Sequence, residues 1–460
     1  MTTKIDLASV LERSRIGPLQ VRVFALCMCC LVMDGFDVQA MGYAAPSLLK
    51  EWQVSSVQMA AVFVAANFGV LVGLIGTSLI ADLIGRRPVT VTATLFFGAI
   101  TLVTARAGTL DQLLLLRFIG GIGLGSVIPN ATALVGEFSP LSRRVTLMMC
   151  ITVGFTAGGA LCGFVAAWLI PLYGWRAVFY AGGAIPLAIG LLMLAALPES
   201  PQFLAVHRRR LDLLARWVNA IDPQLRADAS SEYVVNEERR SGLIALRLFD
   251  AGRAWITPLL WVVNFMNLLN LYALSNWLAT VVSGMGYPQR TAVLVSTVLQ
   301  VGGTLGTFGL AAAIARCGFP TTLVATFLLA AISIAAIGQP GLALSSLFVI
   351  VFVAGACIIG AQPALNALAA TVYPTYLRST GVGWALGVGR IGALVGPYVG
   401  GMLIANRWTT QQMFMAAAVP AMVSMVTMVV VGRLLPQVTG RSQEQTCPTI
   451  LSPCDTSPSH

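Results

Sequence analysis

Residues 32–46 read VMDGFDVQAMGYAAP, and two carboxylates, Asp34 and Asp37, stand inside an apolar run that begins near Val21. An acid at bilayer depth costs roughly 2.5–3.5 kcal/mol even on lenient insertion scales, so one kept there is a functional candidate by default. The i, i+3 spacing places both acids on one helix face. What that face looks at is the question the rest of the chain answers.

Outward from this stretch, the 460 residues are 57% hydrophobic and only 10% charged, against about 25% charged in soluble domains. Mean hydropathy is +0.83. The chain reads as an all-α polytopic membrane protein whose surplus apolar surface faces lipid. Twelve apolar segments, each long enough for a hydrocarbon slab of about 30 Å, fall near residues 21–45, 58–80, 88–106, 111–135, 146–170, 177–197, 256–282, 291–313, 321–338, 342–368, 381–404 and 411–433. The organisation expected is a polar head (1–20), a six-helix bundle (21–197), a charged central loop (198–253), a second six-helix bundle (254–433) and a Ser/Pro/Thr/Gln-rich, disordered tail (434–460). The loop carries an amphipathic stretch, LDLLARWV. No signal peptide is expected, because the first apolar run is too long for one.

The net charge of +10 is carried by 28 basic residues against 18 acids. Its distribution argues against nucleic acid. With both termini inside, inner segments hold 21 Lys/Arg and outer segments five, with Arg117 and Arg390 left within spans. That split sets the topology by the positive-inside rule. Two histidines and scattered cysteines, with CMCC at 27–30 reading as small apolar packing, point to no metal and no disulfide framework. No Ser/His/Asp set and no phosphate-binding loop is present, which argues against an enzyme and against direct ATP coupling.

The halves are related. Pro140, Arg144 and Gly158 recur as Pro374, Arg378 and Gly392, each at an offset of 234. A parallel repeat of six-helix units is the pattern of a rocking transporter with its site between the halves at mid-membrane.

The turn SLIADLIGRRPV (78–89) carries Asp82, Gly85, Arg86 and Arg87. It resembles the loop 2–3 motif of the major facilitator superfamily, which in that family latches the two halves together in the outward-facing state. Ser78 and Leu83 depart from the usual Gly and Arg. The equivalent turn of the second half, AAIARCGFP (312–320), keeps only Arg316 and Gly318. Glu137 is the expected partner of Arg86 or Arg144. RFIGGIGLGSVIPN (117–130) resembles the helix 4 motif of the superfamily, whereas GFTAGGALCGF (154–164) lacks the Gly-Pro pair of drug antiporters. DGFD followed by APSLL, with GWRAVF (174–179), LPESP (197–201) and YPTYLRSTGVG (373–383), is similar to the aromatic acid:proton symporters over essentially the whole chain. That resemblance implies proton-coupled uptake of an aromatic carboxylate, of the hydroxybenzoate, benzoate or chlorinated phenoxyacetate type, across a bacterial inner membrane. It implies no cofactor, the proton gradient as energy source, and a monomer.

Depths at about 1.5 Å per residue make Asp37 and Arg117 level, with Asp34 and Arg390 nearer the middle. Burial raises a carboxyl pKa and a neighbouring Arg lowers it, so Asp34 or Asp37 suits a proton carrier. Arg binds carboxylates through two parallel hydrogen bonds. The expectation is Arg117 as partner of the acid and Arg390 as substrate ligand, with Asn264 and Asn267 contacting substrate or bonding between helices. Phe36, Tyr43, Phe265 and Trp384 are candidates to stack on a ring. The alternatives are a superfamily symporter for a non-aromatic organic acid, an exporter, and a receptor for aromatic acids, for which the chain offers no signalling domain beyond the 198–253 loop.

Overall fold

The computed structural model describes residues 4–6, 10, 12, 16–207, 210–221, 228, 231–234, 248–250, 253–373 and 375–444. Helices dominate. In the first half they are α1 (Pro18–Trp52), α2 (Ser56–Ile84), α3 (Arg86–Thr104), α4 (Leu110–Phe138), α5 (Leu141–Tyr173) and α6 (Arg176–Ala196). The connecting region holds α7 (Pro201–Val206) and α8 (Leu211–Ile221). The second half holds α9 (Ile256–Gly284), α10 (Gln289–Cys317), α11 (Phe319–Ile337), α12 (Leu344–Ile358), α13 (Ala361–Val372), α14 (Thr375–Ala405) and α15 (Thr410–Glu444). Eleven helical stretches among the described residues are long and apolar enough to cross a membrane, with α12 and α13 counted as one. The twelfth crossing is α1, 35 residues long and buried on most of its length. Lipid is the solvent for the apolar flanks: Leu191, Phe164 and Ile332 are all more than half exposed.

Three expectations are corrected. The tenth span is not one helix but two, broken at Ile359–Gly360. The tail is helical as far as Glu444, because α15 continues past the expected end of its span; residues 445–460 lie outside the described residues. The head is not merely polar. Lys4–Asp6 (β1) pairs in parallel with Glu232–Val234 (β2) of the central loop, the one departure from an all-α fold among the described residues.

The repeat has a physical basis in backbone contact. A Cβ on Gly158 of α5 would overlap the Val32 carbonyl of α1, and one on Gly392 of α14 would overlap the Phe265 carbonyl of α9. Each bundle therefore presses its fifth helix onto its first at an equivalent glycine. The register extends to Gly35, whose missing side chain admits the Phe155 backbone. The same layer in the second half sets Gly389 against Leu268, so the small residue there sits on α14 instead.

The halves meet on one side. Ser56 Oγ donates to the Gly401 carbonyl at 2.9 Å. Gln289 Nε2 reaches Ser47 Oγ at 2.5 Å, and Phe63 stands edge-on to Trp277 with centroids 5.3 Å apart. Thr304 and Thr156 bond at 3.0 Å near mid-helix. Ser47, Ser56, Gln289 and Gly401 all lie at the end opposite the central loop. At the loop end, no hydrogen bond joins the halves among the described residues.

Overlap with backbone leaves no room for repacking, and overpacking costs about 1–3 kcal/mol or more. Gly158→Ala and Gly392→Ala should each lower the thermal unfolding temperature of detergent-purified protein. An unchanged melting curve for both would refute the close contacts.

Candidate functional site

The three side chains of the DGFD element, and the gap left by its glycine, turn to different neighbours. Gly35 admits α5, and Phe36 packs on Gly182 of α6. Asp37 turns to α3 and α4. Its carboxylate takes two bonds from Arg117, Nη1 to Oδ1 at 3.2 Å and Nη2 to Oδ2 at 2.9 Å. Thr101 Oγ1 donates to Oδ1 at 2.7 Å, and Arg117 Nη2 also reaches the Asp37 carbonyl at 3.1 Å. The guanidinium lies 5.7 Å from the centre of the Phe179 ring. Both partners are fully buried, at 1% and 4% exposure. Arg117 and Asp37 are thus level in the membrane, but inside the first bundle rather than free in a shared cavity.

Asp34 is different. It is 2% exposed, and its Oδ2 has no hydrogen-bond partner. It interacts electrostatically with Asp37 on its own helix and with Arg390 on α14, across the two halves. Arg390 is half-buried, donates from Nη1 to Tyr272 Oη at 3.1 Å, and makes no ion pair among the described residues. One acid is therefore held directly by a cation, while the other has no direct cationic partner among the described residues and feels Arg390 of the second half only electrostatically.

Asn264 and Asn267 are not arranged as free substrate ligands. Asn264 Nδ2 donates to the Leu260 carbonyl at 2.9 Å, and its Oδ1 accepts from Gln362 Nε2 at 3.1 Å. Asn267 Nδ2 donates to Gln362 Oε1 at 2.8 Å and to the Ile358 carbonyl at 3.2 Å. Ile358 is the last residue of α12, so Asn267 satisfies a carbonyl at the break. Broken backbone at membrane depth persists only where such partners exist. Gln362 also donates to Asn366 at 3.3 Å. Sequence reasoning missed the break, although Gly360 and Pro363 in GAQP (360–363) signal one. Of the ring-stacking candidates, Phe36 and Tyr43 are buried within the protein, with Tyr43 donating to the Gly159 carbonyl at 3.1 Å. Trp384 stacks on Trp261 at 5.7 Å.

Between the halves lies a cavity of about 20 Å³, lined by Val38, Met41, Phe63, Arg117, Tyr272 and Asn276 among others. That is room for about one water. No aromatic ring fits in it.

At the opposite end, Gly85 adopts φ +107°, a turn that L side chains rarely make, and α3 starts directly after it. Arg86 Nε pairs with Glu137 Oε1 at 2.7 Å, and Glu137 Oε2 accepts from Ser200 Oγ. Glu199 Oε1 accepts the backbone N–H of Arg86 at 3.1 Å and of Arg87 at 3.0 Å, an anion on a helix N-terminus. Arg87 Nη2 caps the Leu194 carbonyl at 2.6 Å. Glu199 and Ser200 of the LPESP stretch were missing from the expected latch. Arg144 lies beside Gly136 and acts electrostatically on Glu137 without a direct bond. The side chain of Asp82 is outside the described residues. Every described contact of this cluster lies in the first half and the segment after α6. On the outer face, GWRAVF serves α1: Trp175 Nε1 and Arg176 Nη1 hold Glu51 at 2.7 and 2.8 Å, and the Arg176 bond keeps that carboxyl below its usual range.

Comparison with known proteins matches this architecture. The model of the Major Facilitator Superfamily fits residues 27–337 and 260–448. The 4-hydroxybenzoate transporter PcaK of Pseudomonas putida is 36% identical over 93% of this chain and 96% of its own length. The chain belongs to the major facilitator superfamily, within its aromatic acid transporter family. The gallate transporter of Pseudomonas putida is 34% identical over 91% of this chain and 93% of that protein. The benzoate transport protein of Acinetobacter baylyi is 31% identical over 93% and 92%. Among solved structures, a D-xylose-proton symporter superposes with TM-score 0.71 at 17% identity, covering 91% of this chain and 99% of that one, which shows the shared fold. As a multi-pass carrier of this superfamily the chain is a transporter and not an enzyme. Among the described residues no cluster of His, Cys, Asp or Glu gathers to hold a metal.

Removing one partner of a buried ion pair leaves an uncompensated charge, at a cost of about 3–5 kcal/mol. Arg117→Ala should therefore lower the unfolding temperature sharply, while the neutral pair Asp37→Asn with Arg117→Gln should recover much of the loss. If the double change is as damaging as Arg117→Ala alone, the pair is not what stabilises this layer.

Proposed function

We propose that this chain imports an aromatic carboxylate together with protons, by alternating access, through the inner membrane of a bacterium, with both termini in the cytoplasm and a single chain as the working unit. The similar proteins carry names of hydroxybenzoate, gallate and benzoate transporters, which supports an aromatic acid as cargo. The observation that carries the reading is Arg390: a half-buried guanidinium in the second half that makes no ion pair among the described residues and acts electrostatically on Asp34 of the first half. A cation held at membrane depth without a carboxylate is a place for a substrate anion, which it grips through two parallel hydrogen bonds.

The two acids divide the work. Asp37 is taken up by two bonds from Arg117 and one from Thr101, and shapes the layer. Asp34, with an oxygen unpartnered and no direct guanidinium bond, is the acid free to take and lose a proton. With Asp34 protonated, Arg390 attracts the substrate carboxylate and the pair of charges crosses as a neutral unit. Proton release to the cytosol restores the Asp34 charge, which competes for Arg390 and frees the substrate. The cluster of Gly85, Arg86, Arg87, Glu137 and Arg144, with Asp82 by resemblance, holds the inner end of the first half as one body during the rocking motion. Asn264 and Asn267 shape the wall through Gln362 rather than touching cargo, and no cofactor takes part.

Uptake of labelled benzoate, 4-hydroxybenzoate and gallate into expressing cells tests this. Accumulation should collapse with a protonophore and with Asp34→Asn, while counterflow exchange by Asp34→Asn survives. Accumulation indifferent to both would rule out proton coupling through Asp34.

Arg390→Lys keeps the charge but loses the fork. Losing one charge-assisted hydrogen bond, about 1.5–3 kcal/mol, should raise the KM for uptake about tenfold or more. A normal KM would exclude the bidentate role.

A further inference from the structure

A cavity of about 630 Å³ opens at the loop-bearing end, bounded by the start of α1, the α2–α3 turn, the end of α6 and α8. Three guanidiniums line it, Arg22, Arg87 and Arg210, each from a different element. Glu199 is the one carboxylate on its wall, and Glu199 Oε1 already accepts from the backbone N–H groups of Arg86, Arg87 and Ser200. Arg22 and Arg210 make no ion pair among the described residues, and Arg87 Nε is buried without a partner. Three positive charges against one spent negative charge leave the cavity cationic. Arg87 also belongs to the cluster at the α2–α3 turn, but the transport mechanism uses neither Arg22 nor Arg210.

The surroundings indicate what the excess charge is for. Next to the cavity the lipid-facing flanks are apolar: Leu194, Leu192 and Leu191 of α6 are 50%, 56% and 63% exposed, and Leu83 near the end of α2 is 70% exposed. Trp217 of α8 lines the cavity from the loop side, and Trp is a residue that anchors at membrane interfaces. A soluble phosphate would have no use for these flanks. We propose that the cavity holds an anionic phospholipid, its phosphate between Arg22, Arg87 and Arg210 and its acyl chains along the exposed leucines of α6. Basic pockets between membrane helices bind such headgroups. The bound lipid clamps α8 onto the first bundle, beside the α2–α3 turn and Glu199, and so stiffens the Arg86–Glu137–Ser200 cluster.

The test uses purified full-length protein in nanodiscs of phosphatidylcholine, with or without phosphatidylglycerol, read by thermal unfolding and by native mass spectrometry of retained lipid. Phosphatidylglycerol should raise the unfolding temperature of the wild-type chain and remain bound. Each arginine near an anionic headgroup contributes about fivefold in affinity, so Arg22→Gln with Arg210→Gln should weaken retention about thirtyfold and erase the thermal shift. Arg22→Lys with Arg210→Lys should keep both, which separates lost charge from misfolding. Inorganic phosphate added to phosphatidylcholine discs should not reproduce the shift. A full shift in the Gln double variant, or the same shift from phosphate alone, overturns the proposal. None of these readouts depends on which cargo is carried.

Discussion

The buried pair of Asp37 and Arg117 is the constraint around which the first half is built. Two charges at 1% and 4% exposure have no water to fall back on. Their desolvation is offset only by good geometry and by satisfying the remaining lone pairs. The structure supplies both: a double Arg–carboxylate contact, the Thr101 hydroxyl, and the Asp37 carbonyl as a further acceptor. Four helices, α1, α3, α4 and α6, must be in place at once for this layer to close. It fixes the face that α1 presents to the second half, and with it the position of Asp34.

The contacts between the halves show how such a body moves. Outer contacts tie α1 and α2 to α9, α10 and α14 through small polar groups and one aromatic pair. Each is a single hydrogen bond or edge contact, worth little alone and separable without exposing a charge. At the opposite end the ionic cluster stays inside the first half. The ion pairs among the described residues lie inside the first half, and the hydrogen bonds that join the halves link neutral groups. That arrangement is what a rocking motion about a mid-membrane site needs.

Much of this was legible in the sequence because lipid makes composition informative. Twelve apolar stretches could only be helices, since any other backbone would leave N–H and C=O groups unpaired. The depth of Asp37 and Arg117 followed from counting residues, and the repeat from three matching positions. What was not legible depended on side-chain direction. Asp34 and Asp37 share a helix face, yet one meets a guanidinium and the other does not, which spacing cannot tell. The partners of the α2–α3 turn, Glu199 and Ser200, are over a hundred residues away, and nothing local marks them. The break before Ala361 hid inside a stretch whose hydropathy is continuous.

The repeat explains the asymmetry of the site. The contacts of Gly158 with Val32 and of Gly392 with Phe265 set α1 and α9 in register at an offset of 233. Gly35 and Leu268, which face Phe155 and Gly389, obey the same offset. In that register Asp34 corresponds to Asn267 and Asp37 to Asn270. Each acid of the first half is thus matched in the second by the amide of the same shape, which cannot titrate. Asn267 is occupied with the break at Ile358, and Asn270, fully buried, has neither polar atom paired, as expected of a position whose counterpart is completed by an arginine. The second half carries its cation elsewhere, on α14 at Arg390. Two copies of one scaffold have divided the charges: paired acid and base in the first, an unpaired base in the second. On the proposed mechanism, that division lets one exchangeable proton on α1 govern one anion on α14.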